Sequence, residues 1–268
     1  MVEPRLDVVG SYRHATPKDA GRVMFISIDR ILYCGLLGIR SAAALGSITL
    51  HVSLGNPFLI RIDKGAWFET RSALIQPNVS HQLKSADELI ATLCVEPEYV
   101  DCAAIPWMQA NAEAALNRVA ERIQSVYARV VHENIHDISS PFDLNKALFD
   151  GTLPNRRLDP RIESTIDRMR INPYAQISAE ECADNSGLSF SRFLHLFRHE
   201  VGISFRRFRA WKRARGILQH VNLDANLTDI ALAAGYPDAT HFSHSIRRIY
   251  GMKPKDMFAG SRRLAVLS

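Results

Sequence analysis

The sequence predicts an α+β chain of two domains: an amino-terminal antiparallel barrel or sandwich with helices after it, and a carboxy-terminal all-α domain holding two helix-turn-helix units. Three observations carry this reading. Residues 23–95 alternate short β-rich runs with Gly, Pro or Asn breaks, residues 112–130 change to helical spacing, and a stretch near the end is written twice. With 268 residues, 47% of them hydrophobic, the chain has enough apolar material for two ordinary cores.

Met1 to Asp19 are polar and contain no apolar run resembling a signal sequence. No stretch approaches the ~18 apolar residues of a membrane helix, so a cytoplasmic protein without membrane attachment is expected. Strands are expected at Val23 to Ile28, Ile31 to Leu37, Ile48 to Val52, Phe58 to Ile62, Ala73 to Ile75 and Leu89 to Val95. Short strands at such close intervals point to an antiparallel barrel or sandwich.

Next, Ala112, Leu116, Val119, Ile123, Val126 and Val130 recur at alternating steps of 4 and 3, a heptad seam of about two and a half heptads. Two readings stay open for it. The seam packs a helix on the side of its own barrel, or it joins two chains as a homodimer through Leu116, Val119, Ile123 and Val126. A second helix is expected from Pro141, which suits a first helical turn, through Phe149. Gly151 to Pro160 lacks periodicity and carries two prolines, which marks a linker. The expected division is therefore 1–150, a linker at 151–160, and 161–268.

In the second part, Cys182, Ala183, Gly187, Phe193 and Gly202 are echoed by Ile230, Ala231, Gly235, Phe242 and Gly251, at an offset of 48 residues before the turn and 49 after it. Each copy reads as a short helix, a Gly able to take a left-handed conformation, and a second helix with an aromatic turned inward. Ser178 and Asn226 are the expected N-caps, and acidic residues follow them where the helix dipole favours negative charge. Phe193, Phe197, Phe242 and Ile246 are spaced by four and are expected in the core. Phe205, Phe208, Ala214, Ile217 and Val221 mark one face of a long helix between the copies, with Arg206, Arg207, Arg209, Lys212, Arg213 and Arg215 on its other faces.

Charge is distributed unevenly. Residues 159–268 hold 17 Lys and Arg against 11 Asp and Glu, leaving 16 against 17 to residues 1–158. Two helix-turn-helix units within a basic segment point to binding of double-stranded DNA, and a near-neutral partner domain points to a different task. Cys34, Cys94, Cys102 and Cys182 are scattered without a CxxC or Cys/His cluster, so buried thiols are expected, with neither disulfides nor structural zinc. His51 has no second His close by in sequence, and His81 reads as a turn or core residue. No cofactor and no metal are expected.

Ile230, Ala231, Gly235, Tyr236, Asp238, His241, Phe242, Arg247, Tyr250, Gly251 and Pro254 fall at a spacing that resembles the AraC/XylS family of bacterial transcription regulators. The likeness covers about residues 160–258; the first copy matches more loosely, through Ala183, Gly187, Leu188, Ser189, Phe197 and Gly202. It implies a seven-helix domain whose two recognition helices enter successive major-groove segments. By position, Ser191, Arg192, Leu194 and His195 in the first such helix, and Ala239, Thr240, His241 and His244 in the second, face the bases. Arg198, Arg247 and Arg248 are placed for phosphates. His195 and His244 depart from the Arg common at these positions, and Met257 and Phe258 depart from a common Tyr-Arg pair.

Leu74 to Leu83 resembles a strand of the cupin-like sensor barrels in the same family, which implies a small-molecule effector held by the amino-terminal domain. The metal-binding cupin pattern is absent. The resemblance also implies contact with RNA polymerase, although no residue here shows it. Three alternatives stand beside an effector-controlled regulator: a metal-dependent cupin enzyme with a DNA-binding tail, a DNA-repair alkyl-transfer protein, and an interaction protein or regulator whose barrel binds a protein partner and no small molecule. Missing metal ligands weigh against the first, and dispersed cysteines against the second.

Overall fold

The computed structural model describes residues 22–36, 41–86, 89–109, 112–132, 144–149, 151–221, 226–261 and 265–267. Strands β1 (Val23–Ile26), β2 (Arg30–Leu36), β3 (Ile48–Ser53), β4 (Phe58–Ile62), β5 (Phe68–Thr70), β6 (Ser72–Ile75), β7 (His81–Lys84) and β8 (Leu89–Val95) form two sheets. The larger has the order β6-β3-β8-β2-β1 and gains β9 (Ala265–Leu267) at its edge; the smaller has the order β5-β4-β7. β9 pairs parallel to β1, so the end of the chain returns to the amino-terminal sheet. Of the barrel or sandwich expected, the described strands make the sandwich, two sheets that do not close into a cupin-like barrel. The ladder is broken between Thr70 of β5 and Ser72 of β6, where the chain passes from one sheet to the other with Arg71 between them.

Side chains alternate across each strand, and the large sheet is covered on both faces. Leu32, Leu50, Val52, Leu93 and Val95 face helix α1 (Glu113–His132). Met24, Ile26, Ile31, Ile90 and Cys94 cluster with Phe58, Ile60 and Leu83 of the small sheet. Of the heptad seam, Val119, Ile123, Val126 and Val130 are buried in the cluster beneath α1, and Leu116 packs beside them. Of the two readings open for Leu116, Val119, Ile123 and Val126, this is the packing of the helix on its own sheet. The large sheet has an apolar outer face that must be covered, and the seam covers it within one chain.

Helix α2 is Leu144–Phe149; the expected start at Pro141 lies outside the described residues. The stretch read as a linker is fastened. Asp101 N donates to Pro154 O at 2.8 Å, Arg156 N to Tyr99 O at 3.0 Å, and Asp159 N to Glu200 Oε2 at 2.9 Å.

The carboxy-terminal helices are α3 (Pro160–Ile171), α4 (Ala179–Asn185), α5 (Phe190–Val201), α6 (Phe205–Ile217), α7 (Leu227–Ala233), α8 (Ala239–Tyr250) and α9 (Pro254–Ser261). These are the seven that the resemblance implies. Phe193, Phe197, Phe205 and Phe208 close the first unit's core with Ile162 and Ile166 of α3. Ile230, Ala231, Phe242 and Ile246 of the second unit belong to a cluster continuous with the inside of the sandwich. Met257 and Phe258 of α9 are buried in that cluster, which gives the departing pair a packing role.

Candidate nucleic-acid interface

Both copies of the repeated motif fold by the same local rules. Ser178 Oγ accepts from Glu181 N to start α4, and Asn226 Oδ1 accepts from Thr228 N to start α7. Gly187 at φ 62° and Gly235 at φ 71° make the turns, a left-handed conformation that any Cβ would strain. Ser189 then caps α5 and Asp238 caps α8. Each second helix ends at a left-handed glycine, Gly202 or Gly251, whose N–H returns to Arg198 O or Arg247 O.

With Phe193, Phe197, Phe242 and Ile246 buried as expected, the opposite faces of α5 and α8 point to solvent. Ser191, Arg192, His195 and Arg198 are exposed on α5, and Leu194 is half-buried. On α8, Ala239, Thr240, His241, His244, Arg247 and Arg248 are exposed. The residues expected at bases or phosphates therefore all lie on α5 and α8, ten of them open to solvent and Leu194 partly so. Asp238 Oδ2 holds His241 Nδ1 at 2.8 Å.

The basic helix between the units behaves differently from its sequence reading. Arg206 and Arg207 are exposed, but Lys212 and Arg215 turn toward the sandwich. Glu96, fully buried just past β8, accepts from Trp211 Nε1 at 2.9 Å, Lys212 Nζ at 2.7 Å and Arg215 Nε at 2.8 Å. Lys212 also pairs with buried Glu98. Burial alone would raise the Glu96 carboxyl, yet Lys212 and Arg215 outweigh it and hold the group below the usual range. Burial pushes Glu98 up to about 7 against the pull of Lys212, and the charge on Glu96 adds to the rise. Lys212 in turn is raised by the two carboxylates despite its burial.

Further contacts join the same surfaces. Ala44 N donates to Arg248 O and Ile249 O, and Ser41 Oγ to Gly251 O, so residues 41–44 cover the carboxy-terminal end of α8. A Cβ on Gly46 would lie 2.4 Å from Trp211 Cγ, so the close approach there requires glycine. Sequence reasoning missed this junction because Glu96 and Trp211 stand in different domains, and neither pattern nor spacing links them.

A second arrangement was also missed. His51 on β3 and His81 on β7 meet inside the sandwich with their Nε2 atoms 3.0 Å apart. His51 Nδ1 lies 3.1 Å from Thr92 Oγ1, and His81 Nδ1 lies 3.1 Å from Val79 O. Burial, the largest cause, lowers both imidazoles below their usual value, and the neighbouring His81 lowers His51 further. Among the described residues no group of three or more His, Cys, Asp or Glu is placed to hold a metal ion. Cys34, Cys94 and Cys182 are buried as expected, and Cys102 is only partly so. Among the described residues no helix is long and apolar enough to cross a membrane.

Comparison with known proteins bears on the carboxy-terminal part first. The helix-turn-helix domain family matches residues 182–260. The HTH-type transcriptional activator RhaS of Citrobacter koseri is 27% identical over 117 residues, covering 42% of this chain and 40% of that protein. The invasion protein InvF of Salmonella typhi is 28% identical over 75 residues, covering 28% of this chain and 35% of that protein. The chain thus spans well under half the length of these curated relatives. Among solved structures, ToxT of Vibrio cholerae superposes with a TM-score of 0.51 at 11% identity, covering 87% of this chain and 98% of that one, a likeness of fold alone.

Proposed function

We propose that this chain is a sequence-specific DNA-binding regulator of transcription of the AraC/XylS kind, on the match of residues 182–260 to the helix-turn-helix domain family and the likeness to the activator RhaS. The observation that carries the reading is the duplicated frame. Two capped helices, α5 and α8, each keep an aromatic anchor inside and turn basic and polar side chains out. Ser191, Arg192, Leu194 and His195, with Ala239, Thr240, His241 and His244, face the bases, and Arg198, Arg247 and Arg248 bind phosphates. Domains at 1–150 and 161–268, joined through 151–160, divide the work in this reading.

A small effector bound by the amino-terminal domain controls the second in this reading. Two features support it: the sandwich has a buried polar pair, His51 and His81, in an apolar interior, and Glu96 ties β8 to α6. Contact with RNA polymerase follows from the family resemblance, and pairing of two copies is the other reading of the α1 seam, for which Leu116 is the partly exposed residue. The test is binding of the full chain to genomic duplex fragments. Specific fragments should be retained over random DNA, with affinity falling steeply with salt as counterions are released. Equal affinity for all duplexes at moderate salt would remove the reading. A metabolite screen that shifts the melting of the amino-terminal domain would identify the effector.

A further inference from the structure

The first turns of the two exposed helices differ in one chemical respect. Ser189 caps α5 with a single hydroxyl oxygen, which accepts from Arg192 N at 3.4 Å. Asp238 caps α8 with a carboxylate, whose Oδ1 accepts from Thr240 N and from His241 N, each at 2.8 Å. That leaves Oδ2 free for a second task, and it holds His241 Nδ1 at 2.8 Å. One residue thus starts the helix and fixes an exposed ring three positions further on.

Hydrogen-bond chemistry then sets what the ring offers. The bonds to Asp238, first from the His241 backbone and then from its side chain, hold the carboxyl below its usual range, so it stays ionised. An ionised carboxylate can only accept, so in neutral His241 the ring proton resides on Nδ1. Nε2 is then left with its lone pair. Both Asp238 oxygens are engaged within the helix, so the imidazole and not the carboxylate is the group free to read.

We propose that His241, positioned by Asp238, is a specificity-determining residue of the second unit: its Nε2 accepts a hydrogen bond from a base amino group, cytosine N4 or adenine N6, in the major groove. Guanine and thymine present only acceptors at the corresponding edge and are disfavoured there. No such device exists at the start of α5, where the one oxygen of Ser189 is already engaged. The inference rests on the DNA-binding reading above and adds the class of base that the second unit selects.

The test is selection from a randomised duplex library with the full chain at pH 8, comparing wild type, His241→Ala and Asp238→Ser. Wild type should yield one motif column enriched in cytosine or adenine by about fivefold, the scale of a single contact. His241→Ala should flatten that column and leave the others. Asp238→Ser keeps an oxygen to cap α8 but leaves the ring proton free to move to Nε2. It should admit guanine in the same column with an unchanged melting midpoint. A wild-type motif in which no column depends on His241, or in which that column prefers guanine or thymine, overturns the proposal. So does an Asp238→Ser variant that weakens all sequences equally with the column unchanged, since Asp238 would then be a cap alone. Enrichment of no sequence overturns the regulator reading and this proposal with it, whereas an enriched motif without a His241 column overturns this proposal only.

Discussion

Glu96, buried just past β8, accepts a hydrogen bond from Trp211 Nε1 at 2.9 Å, and this contact joins the sandwich to the helix between the two helix-turn-helix units. Lys212 and Arg215 lie against the same carboxylate. Two cations and two carboxylates are thus withdrawn from water together, which is tolerable only while the set is complete. Replacing Glu96 by Ala leaves Lys212 with Glu98 alone and takes from Arg215 the carboxylate it pairs with. The expected loss is about 3–5 kcal/mol, the usual scale for removing one partner of a buried pair. Thermal denaturation of the full chain checks it, together with a red shift of Trp211 emission. A variant that melts like the wild type with unshifted emission would show that the junction does not form in solution.

Gly46 tests the same junction by shape and not by charge. Its missing Cβ leaves room for Trp211, whose Cβ, Cγ and Cδ1 would lie 2.5, 2.4 and 2.8 Å from an added methyl. The near atoms belong to the root of a buried ring, which cannot swing away. Gly46→Ala should therefore cost about 1–3 kcal/mol, in the range of overpacked cores. The first unit has its own core around Phe193 and Phe197, so its proton chemical shifts should stay put while those of Trp211 move. Shifts spread evenly over both units would contradict this.

The parts of the fold legible in the sequence are those fixed by local rules. Ser178, Asn226, Gly187 and Gly235 declare helix starts and turns through groups within three residues of them, and the structure has each as read. The phenylalanines spaced by four are buried because 3.6-residue periodicity puts them on one side of a helix. β7 was harder to read, since His81, Gln82, Leu83 and Lys84 give only two buried positions. β9 pairs with a strand more than two hundred residues away, and its run of small and apolar residues resembles any tail. The heptad seam shows the limit most clearly: period alone tells that Ile123 is buried but not whether its own sheet or another chain covers it. Lys212 and Arg215 show no partner in the sequence because the carboxylate they share is more than a hundred residues distant.

Ile123 separates the two readings of that seam. It is fully buried against the large sheet, so Ile123→Glu places an unpaired charge in the amino-terminal core. The expected cost is several kcal/mol, on the order of 3 or more, unless the carboxyl stays protonated. Loss of the amino-terminal domain's cooperative melting is the predicted result, and circular dichroism reads it. A variant that keeps this melting but sediments as a smaller species would restore the dimer contact.

Arg198 and Arg247 stand exposed in the last turns of α5 and α8, where the resemblance puts phosphates. Phosphate contacts position a protein without reading sequence. Arg198→Ala and Arg247→Ala should each weaken binding to specific and random duplexes alike and lower the salt slope by about 1. Affinity measured against salt concentration on both kinds of duplex checks this. A loss confined to one operator sequence would instead make that arginine a base reader.

The histidine pair predicts how stability responds to acid. His51 and His81 are both lowered below their ordinary value, with Nε2 atoms 3.0 Å apart, so the folded chain resists protonating either. Unfolded, each takes a proton as pH falls through about 6.5. Stability from the pair is therefore complete above that pH and is lost below it, down toward the lowered folded values. Glu98 acts in the opposite sense, because its folded value near 7 lies above its unfolded one, and between about 4.5 and 7 the folded state holds one extra proton there. The two imidazoles draw protons to the unfolded chain while Glu98 draws one to the folded chain, so the pair outweighs the single carboxyl. Denaturant unfolding between pH 5 and 7 should show stability rising with pH. His51→Gln removes one of the two imidazoles and should flatten the slope in this window, while Glu98→Gln should steepen it. Identical slopes in wild type and His51→Gln would show that the imidazoles are not held neutral by the sandwich.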